Sequence, residues 1–538
     1  MSNPNTSSKG MGFIIGASSV GTLIEWYDFY IFGMLATIIS KQFFPDDSGT
    51  SALLSTLAIF AAGFIVRPFG ALVFGRLGDL IGRKYTFLLT LILMGGSTFA
   101  IGLVPGFKTI GWAAPIIVLV LRLIQGLALG GEYGGAATYV AEHAPPDRRG
   151  FWTSWIQTTA TLGLFLALGI IILIRNAQGV EKFGKEWGGW RYPFWISSIL
   201  VIVSIVIRMR MSESPMFAQV KAEGKTSVNP LKESFGHRAN FKMVLLALFG
   251  AVMGQGVIWY TGQFYAQSFL ENTCKLEFTQ SRNILLLAIL FATPFFVFFG
   301  WLSDIIGRKW IMLLGMLLGV VFYRPIFGEL LKDTNAKEWM KDKPNLAEGA
   351  LSNNGKADTI INKAGFFIVH HQTNNWIYKD TRFSEKRNDT LKLMGYTLYP
   401  PLSALGKDTF NFAKIPDTKV LYTDKVLAAA LKWKFVWLVW CMVIFVTMVY
   451  GPMAAFLVEM FPTKIRYTSM SLPYHIGNGV FGGLVPFLGT LIVEFTKNKE
   501  NPAGDPLAGL WYPIGVAALC LFIGTIYLRN KIDKDVMD

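Results

Sequence analysis

The 538-residue chain is poor in charge and nearly devoid of cysteine. Charged residues make up 16%, against about 25% in a soluble globular domain, so polar surface is too scarce for several water-soluble domains. Three cysteines (Cys274, Cys441, Cys520) and five histidines build neither a disulfide framework nor a zinc cluster. The sequence has no Gly-x-x-x-x-Gly-Lys-Ser/Thr loop, no His-Glu-x-x-His and no Gly-x-Ser-x-Gly elbow. These absences argue against direct ATP hydrolysis and against a membrane-embedded enzyme, and no cofactor or metal is expected.

Apolar residues dominate instead. Hydrophobic side chains reach 52%, aromatic ones 14%, and mean hydropathy is +0.42. That is the profile of a polytopic membrane protein. The net charge of +15 then reflects Lys and Arg collected on cytoplasmic loops, and no nucleic-acid partner is expected.

A helical span needs about 20 mainly apolar residues. Twelve runs qualify: 12–39, 52–74, 85–104, 114–141, 151–174, 192–210, 242–270, 283–303, 310–330, 435–459, 468–493 and 509–529. The first, interrupted by Glu25 and Asp28, is too long for a cleaved leader. With the N-terminus inside, Lys and Arg are about twice as frequent on the inner loops as on the short outer ones. Both termini are therefore expected in the cytoplasm.

The chain repeats itself. Gly75-Arg-Leu-Gly-Asp79-Leu-Ile-Gly82-Arg83-Lys84 follows run 2, and Gly300-Trp-Leu-Ser-Asp304-Ile-Ile-Gly307-Arg308-Lys309 follows run 8, an offset of 225 residues. Glu142-His-Ala-Pro145 with Arg149 recurs as Glu459-Met-Phe-Pro462 with Arg466, an offset of 317. This is a duplicated six-span unit. The offsets differ by 92 residues, so the second half carries extra chain between runs 9 and 10. The expected fold is all-α, with twelve transmembrane helices in two pseudo-symmetric six-helix bundles. Residues 1–210 form the first bundle, 211–241 a cytoplasmic loop, and 242–330 with 435–538 the second. Residues 331–434 form an extracytoplasmic insertion, rich enough in aromatics to fold as a small cap.

In the repeated loop, the first Gly lets two helix ends approach closely and the second closes a turn. Its Asp caps a helix or pairs with Arg, and its basic pair meets carboxylates on neighbouring helix ends. Gly75, Asp79, Gly82, Arg83, Glu142 and Arg149, with Asp304, Arg308, Glu459 and Arg466, are thus expected to form two equivalent cytoplasmic latches.

These motifs resemble the major facilitator superfamily. Glu25-Trp26-Tyr27-Asp28 in run 1, Arg67-Pro68-Phe69-Gly70 in run 2 and Arg122-Leu-Ile-Gln125-Gly126 through Gly130-Gly131-Glu132 in run 4 are similar to its metabolite:proton symporter family. So are Trp190-Arg191-Tyr-Pro193-Phe194 and Pro462-Thr-Lys-Ile-Arg466. The resemblance covers the chain except about 331–434, and implies a carrier of solutes such as proline, betaine, 2-oxoglutarate, citrate or shikimate. Glu213-Ser214-Pro215 resembles the latch carboxylate of sugar porters.

Charge inside a membrane is costly, so intramembrane ionisable groups are functional candidates. Five occur in the first half: Glu25, Asp28, Arg67, Arg122 and Glu132. Depth along the helices matches Asp28 with Arg122, and Glu25 with Arg67, while Glu132 is a second match for Arg67. Asp28, Arg122 and Glu25 are the expected proton-coupling residues. Arg67, Gln125, Glu132, Gln157, Gln255, Trp259, Tyr260, Gln263 and His475 are expected to line a substrate cavity. A static ion pair that only fixes helix packing is the competing reading.

The leading expectation is a monomeric plasma-membrane carrier, with a small organic acid or zwitterion and protons as its partners within the lipid bilayer. A uniporter, an exporter and a non-transporting nutrient receptor are the alternatives.

Overall fold

The structure, a computed structural model, describes residues 8–45, 49–81, 83–130, 137, 140–141, 144–209, 236–335, 358–363, 366–372, 376–383, 421–427, 429–461, 466–499, 501 and 504–530. In several of these stretches, including 75–81, 83–88 and 466–468, it describes the backbone alone.

Over the described residues, each of the twelve apolar runs is helical. We number them span 1 (Ser8–Met34 and Ala36–Phe43), span 2 (Ser51–Phe74), span 3 (Arg83–Ile101), span 4 (Ala113–Gly130), span 5 (Arg149–Gln178) and span 6 (Gly189–Val206). The second half supplies span 7 (Arg238–Thr273), span 8 (Phe278–Ile306), span 9 (Arg308–Asp333), span 10 (Ala429–Met460), span 11 (Ser469–Phe495) and span 12 (Ala508–Tyr527). Helices are required because a backbone in hydrocarbon must satisfy its own polar groups. Large apolar side chains such as Phe69, Leu173, Ile199 and Phe522 are more than 60% exposed, as lipid-facing residues should be. Inward-facing hydroxyls return a bond to their own helix, as Thr153 does to the Arg149 carbonyl and Thr261 to that of Val257.

Several helices are irregular. Span 1 bends by 60° between Met34 and Ala36. Span 7 contains π-helical segments at Leu248–Val252, Thr261–Tyr265 and Phe269–Thr273, and span 11 one at His475–Gly482. Such bulges re-aim side chains and recur at functional sites.

Contacts divide the chain into two units, Met1–Tyr265 with Ala288–Arg324 and Trp440–Asp538, and Ala266–Leu287 with Pro325–Val439. Within the first, spans 2 and 4 meet backbone to backbone. A Cβ at Gly126 would stand 1.9 Å from the Gly63 carbonyl oxygen, and one at Gly130 2.1 Å from that of Arg67. Glycine at these two positions is what brings Arg67 and Arg122 close together.

The second unit contains an antiparallel sheet in the inserted segment. Strands β1 (Asp358–Lys363), β2 (Phe366–Gln372), β3 (Trp376–Phe383) and β4 (Leu421–Leu427) pair in chain order. Lys363 faces Phe366, Gln372 faces Ile377, and Trp376 faces Leu427. The Gln280 side-chain amide accepts the Leu427 N–H at 2.7 Å and donates to its carbonyl at 2.8 Å, tying β4 to span 8. Lys434 pairs with Glu329 and Asp333, both at 2.6 Å, and so joins the start of span 10 to the end of span 9.

Candidate functional site

Two buried guanidiniums organise the centre of the first unit. Arg67 begins the second half of span 2 and Arg122 lies mid-span 4, and they are 1% and 0% exposed. Both Cζ atoms stand 4.3 Å from the centroid of one ring, Phe29 of span 1. Arg67 also lies 4.1 Å from the Phe64 ring, and Arg122 4.6 Å from Phe32 and 5.1 Å from Phe60. Aromatic faces attract cations, so this packing offsets part of the desolvation cost.

Among the described residues, the depth-matched pair of Asp28 with Arg122 is not formed. Arg122 donates instead to the Gln125 amide oxygen, one turn along its own helix, and to the Phe60 carbonyl at 3.5 Å. Gln125 in turn donates to the Asp28 backbone carbonyl at 3.1 Å and to Thr98 at 2.8 Å. The Asp28 carboxylate is buried, faces Ser197 of span 6, and leaves Oδ1 without a hydrogen-bond partner. Equal depth did not mean equal azimuth, and a neutral amide three residues away took the Arg122 guanidinium. Arg67 has aromatic neighbours: the phenols of Tyr260, Tyr30 and Tyr474 lie near it, while Nε and Nη2 have no hydrogen-bond partner. Glu25 is buried elsewhere on the same helix.

Spans 7, 10 and 11 close over Arg67 with further rings. Tyr260 packs against Phe64 at 5.0 Å, Phe264 against Tyr30 at 5.1 Å, and Trp259 against Trp26 at 6.4 Å and Tyr450 at 4.9 Å. His475 lies beside Arg67 and the Gly130 backbone. Gln255 and Gln263 are buried with both amide atoms unpartnered, and Gln157 is buried on span 5. The sequence reading missed Tyr30, Phe64, Phe264, Tyr450, Tyr474 and Asn478. Part of their signal was available: Trp26 with Tyr30, Phe60 with Phe64 and Tyr260 with Phe264 are aromatic pairs at helical i, i+4 spacing.

The second cluster forms at one end of the bundle. Arg308 Nη1 pairs with Asp304 Oδ1 at 2.6 Å, and Nη2 with Glu459 Oε1 at 3.0 Å. The Asp304 carboxylate also accepts the Gly150 and Phe151 N–H groups, each at 2.8 Å. The carboxylate thereby caps span 5, joining the first half to the second. Close approach is possible because a Cβ at Gly300 would stand 2.4 Å from that of Ser154. Gly307 has φ +94°, the left-handed turn foreseen for the second glycine of the motif. One expectation is corrected. Arg149, assigned by the repeat to the first cluster, reaches Glu459 of the second at 3.5 Å.

Glu132, Gly82, Glu142 and Glu213 lie outside the described residues, as do the side chains at Gly75, Asp79, Arg83 and Arg466. Among described residues no group of three His, Cys, Asp or Glu side chains could hold a metal. At the end opposite the latch, Arg191 donates to the Gly102 and Val104 carbonyls at 2.9 and 2.6 Å. Glu186 accepts from the Gly106 N–H at 2.6 Å and the Thr109 hydroxyl at 2.7 Å, and these bonds hold its carboxyl below the usual glutamate value.

Comparison with known proteins agrees with this architecture. Residues 14–229 match the family model described as "Sugar (and other) transporter". The chain is 36% identical to the alpha-ketoglutarate permease of Escherichia coli over 59% of its own length and 71% of the relative's. Identity to the proline/betaine transporter of Salmonella typhimurium is 35%, over 58% of this chain and 63% of that one. The citrate-proton symporter of Salmonella typhi is 28% identical over 99% of this chain and 97% of its own. In fold, the D-xylose-proton symporter superposes over 97% of this chain and 99% of the other, with TM-score 0.60 and 15% identity. The helical spans, the duplicated loop motif and these relatives place the chain in the major facilitator superfamily.

Proposed function

We propose that the chain is a secondary transporter carrying a small carboxylate or zwitterion together with a proton by alternating access. The observation that carries this reading is Arg67: a fully buried cation with two unpartnered N–H groups, ringed by phenols and indoles where spans 1, 2, 7 and 11 converge. Burying such a charge costs several kcal/mol, which an anionic substrate would offset through charge-assisted hydrogen bonds. The relatives support it, since alpha-ketoglutarate, proline, betaine, shikimate and citrate all bear a carboxyl group.

Asp28 is the proposed proton acceptor, because its buried carboxylate has an unpartnered oxygen. It is linked to Arg122 through Gln125 and the span 1 backbone, in place of a direct ion pair. A proton taken up at Asp28 would be felt at both guanidiniums through the shared Phe29 ring and Gln125. The Asp304–Arg308–Glu459–Arg149 cluster is the proposed cytoplasmic latch, breaking and reforming as the halves rock. We place both termini in the cytoplasm of a plasma-membrane protein and residues 331–434 outside.

A thermal-shift screen of the purified protein against mono- and dicarboxylates tests the central point. Carboxylates should stabilise the wild type, and Arg67→Gln should weaken that binding by about 30-fold or more, the loss of one charge-assisted contact. Equal stabilisation of wild type and Arg67→Gln by every carboxylate would refute it.

A further inference from the structure

At the latch end, spans 7, 9, 10 and 12 wall a cavity of about 930 Å³. That is the upper part of the range of about 300–1,000 Å³ usual for ligand sites. Every described residue lining it belongs to the second half of the chain. The Arg67 centre is built by both halves, so this cavity is a separate place.

Two chemistries meet in it. Leu246, Phe249 and Ile526 give it an apolar wall, and Ile526 is 55% exposed, so the wall stands open. Lys242 and Arg529 add two exposed cations, and among the described residues neither has a carboxylate partner. Glu459 is the one carboxylate among the described lining residues, and Arg308 at 3.0 Å and Arg149 at 3.5 Å already hold it. Three lining cations against one carboxylate leave a net charge of +2. Lys and Arg at the inner ends of spans are ordinary, and alone they would signal orientation only. An open apolar wall beside them asks for more. A soluble anion would leave the wall bare, and a plain hydrocarbon would leave the cations unmatched.

We propose that this cavity binds one anionic phospholipid, with Lys242 and Arg529 holding its phosphate and an acyl chain lying against Leu246, Phe249 and Ile526. Zwitterionic phospholipid is disfavoured, because its ammonium would meet two cations and find the one carboxylate occupied. The site is independent of which solute is carried. The Arg308–Glu459 pair forms one side of the cavity, so the lipid rests against the latch.

Titrating the delipidated full chain with phosphatidylglycerol, and with phosphatidylethanolamine of the same acyl chains, tests this by native mass spectrometry. Phosphatidylglycerol should bind more tightly. Lys242→Gln and Arg529→Gln should each weaken it about fivefold, the worth of one cation at an anionic headgroup, and about 25-fold together. Leu246→Trp, which fills the apolar wall, should weaken it as well. Arg148→Gln removes another cation near the latch, 71% exposed, and should leave binding unchanged. The two charge variants change exposed side chains and carry the test if Leu246→Trp does not fold. Equal binding of the two phospholipids would overturn the proposal. So would equal weakening by Arg148→Gln and Lys242→Gln, which would leave only a diffuse surface charge. Oleate or inorganic phosphate bound as tightly as phosphatidylglycerol would assign the cavity to another ligand and overturn it too.

Discussion

Replacing Asp304 with Asn keeps the shape of the latch and removes its charge. The carboxylate accepts three bonds, from the Gly150 and Phe151 amides at 2.8 Å and from Arg308 at 2.6 Å. Asn retains one acceptor oxygen and presents N–H groups in place of the other, so one span 5 amide loses its partner. Asp304 and Arg308 lie in the same half, so their mutual pair contributes to open and closed states alike. Arg308 also keeps Glu459 at 3.0 Å and is not left bare. What biases the closed state is therefore the pair of bonds to span 5. Charge-assisted bonds contribute about 1.5–3 kcal/mol each, and Asp304 is only 6% exposed, so screening is slight. One bond lost and one reduced to a neutral bond amounts to about 2–3 kcal/mol, or roughly 30- to 150-fold in the closed-to-open ratio. A thiol at Ser154, which is 0% exposed beneath Gly300, reports opening. In a background lacking the native cysteines, Ser154→Cys should react with a bulky maleimide about 30-fold faster or more once Asp304→Asn is added. An unchanged rate would refute the latch.

Two other expectations follow from sites outside the centre. Glu186 has a folded pKa below its ordinary value of 4.5, so its tether is present above that value and is lost as pH falls through the lower one. Amide exchange at Gly106, corrected for intrinsic rates, should stay protected at pH 5 and lose protection in stronger acid, and Glu186→Gln should abolish that pH dependence. Joining Leu330 to Phe435 through a short flexible linker should leave insertion and proton-driven uptake intact, since among the described residues it removes the part-exposed Lys434 pairs and the Gln280 tie. Normal expression with abolished uptake would assign the insertion a part in transport.

The spans were legible because each is an apolar run of about the length that crosses a bilayer, and the repeat was legible because the loop motif is polar and local. The double role of Asp304 was readable from residue type, and the packing role of Gly126 and Gly130 from their spacing. Side-chain partners were not readable. Depth places Asp28 level with Arg122 but says nothing of which way each points, and Gln125 intervened. The repeat arithmetic equates Arg149 with Arg466 in position, yet cannot say that Arg149 reaches across to Glu459. The π segments of spans 7 and 11 left no trace either, because one extra residue in a turn alters neither composition nor apolar length.

Proton movement during transport tests the account most directly. Proteoliposomes loaded with a pH-sensitive dye, held without a pH gradient and given an external carboxylate that the protein binds, should acidify inside as the solute enters. Asp28→Asn should still bind and exchange the solute but show no acidification, and should fail to accumulate it under an inward proton gradient. Solute entry by the wild type with no change in luminal pH would contradict proton symport, and acidification preserved in Asp28→Asn would remove Asp28 from the coupling step.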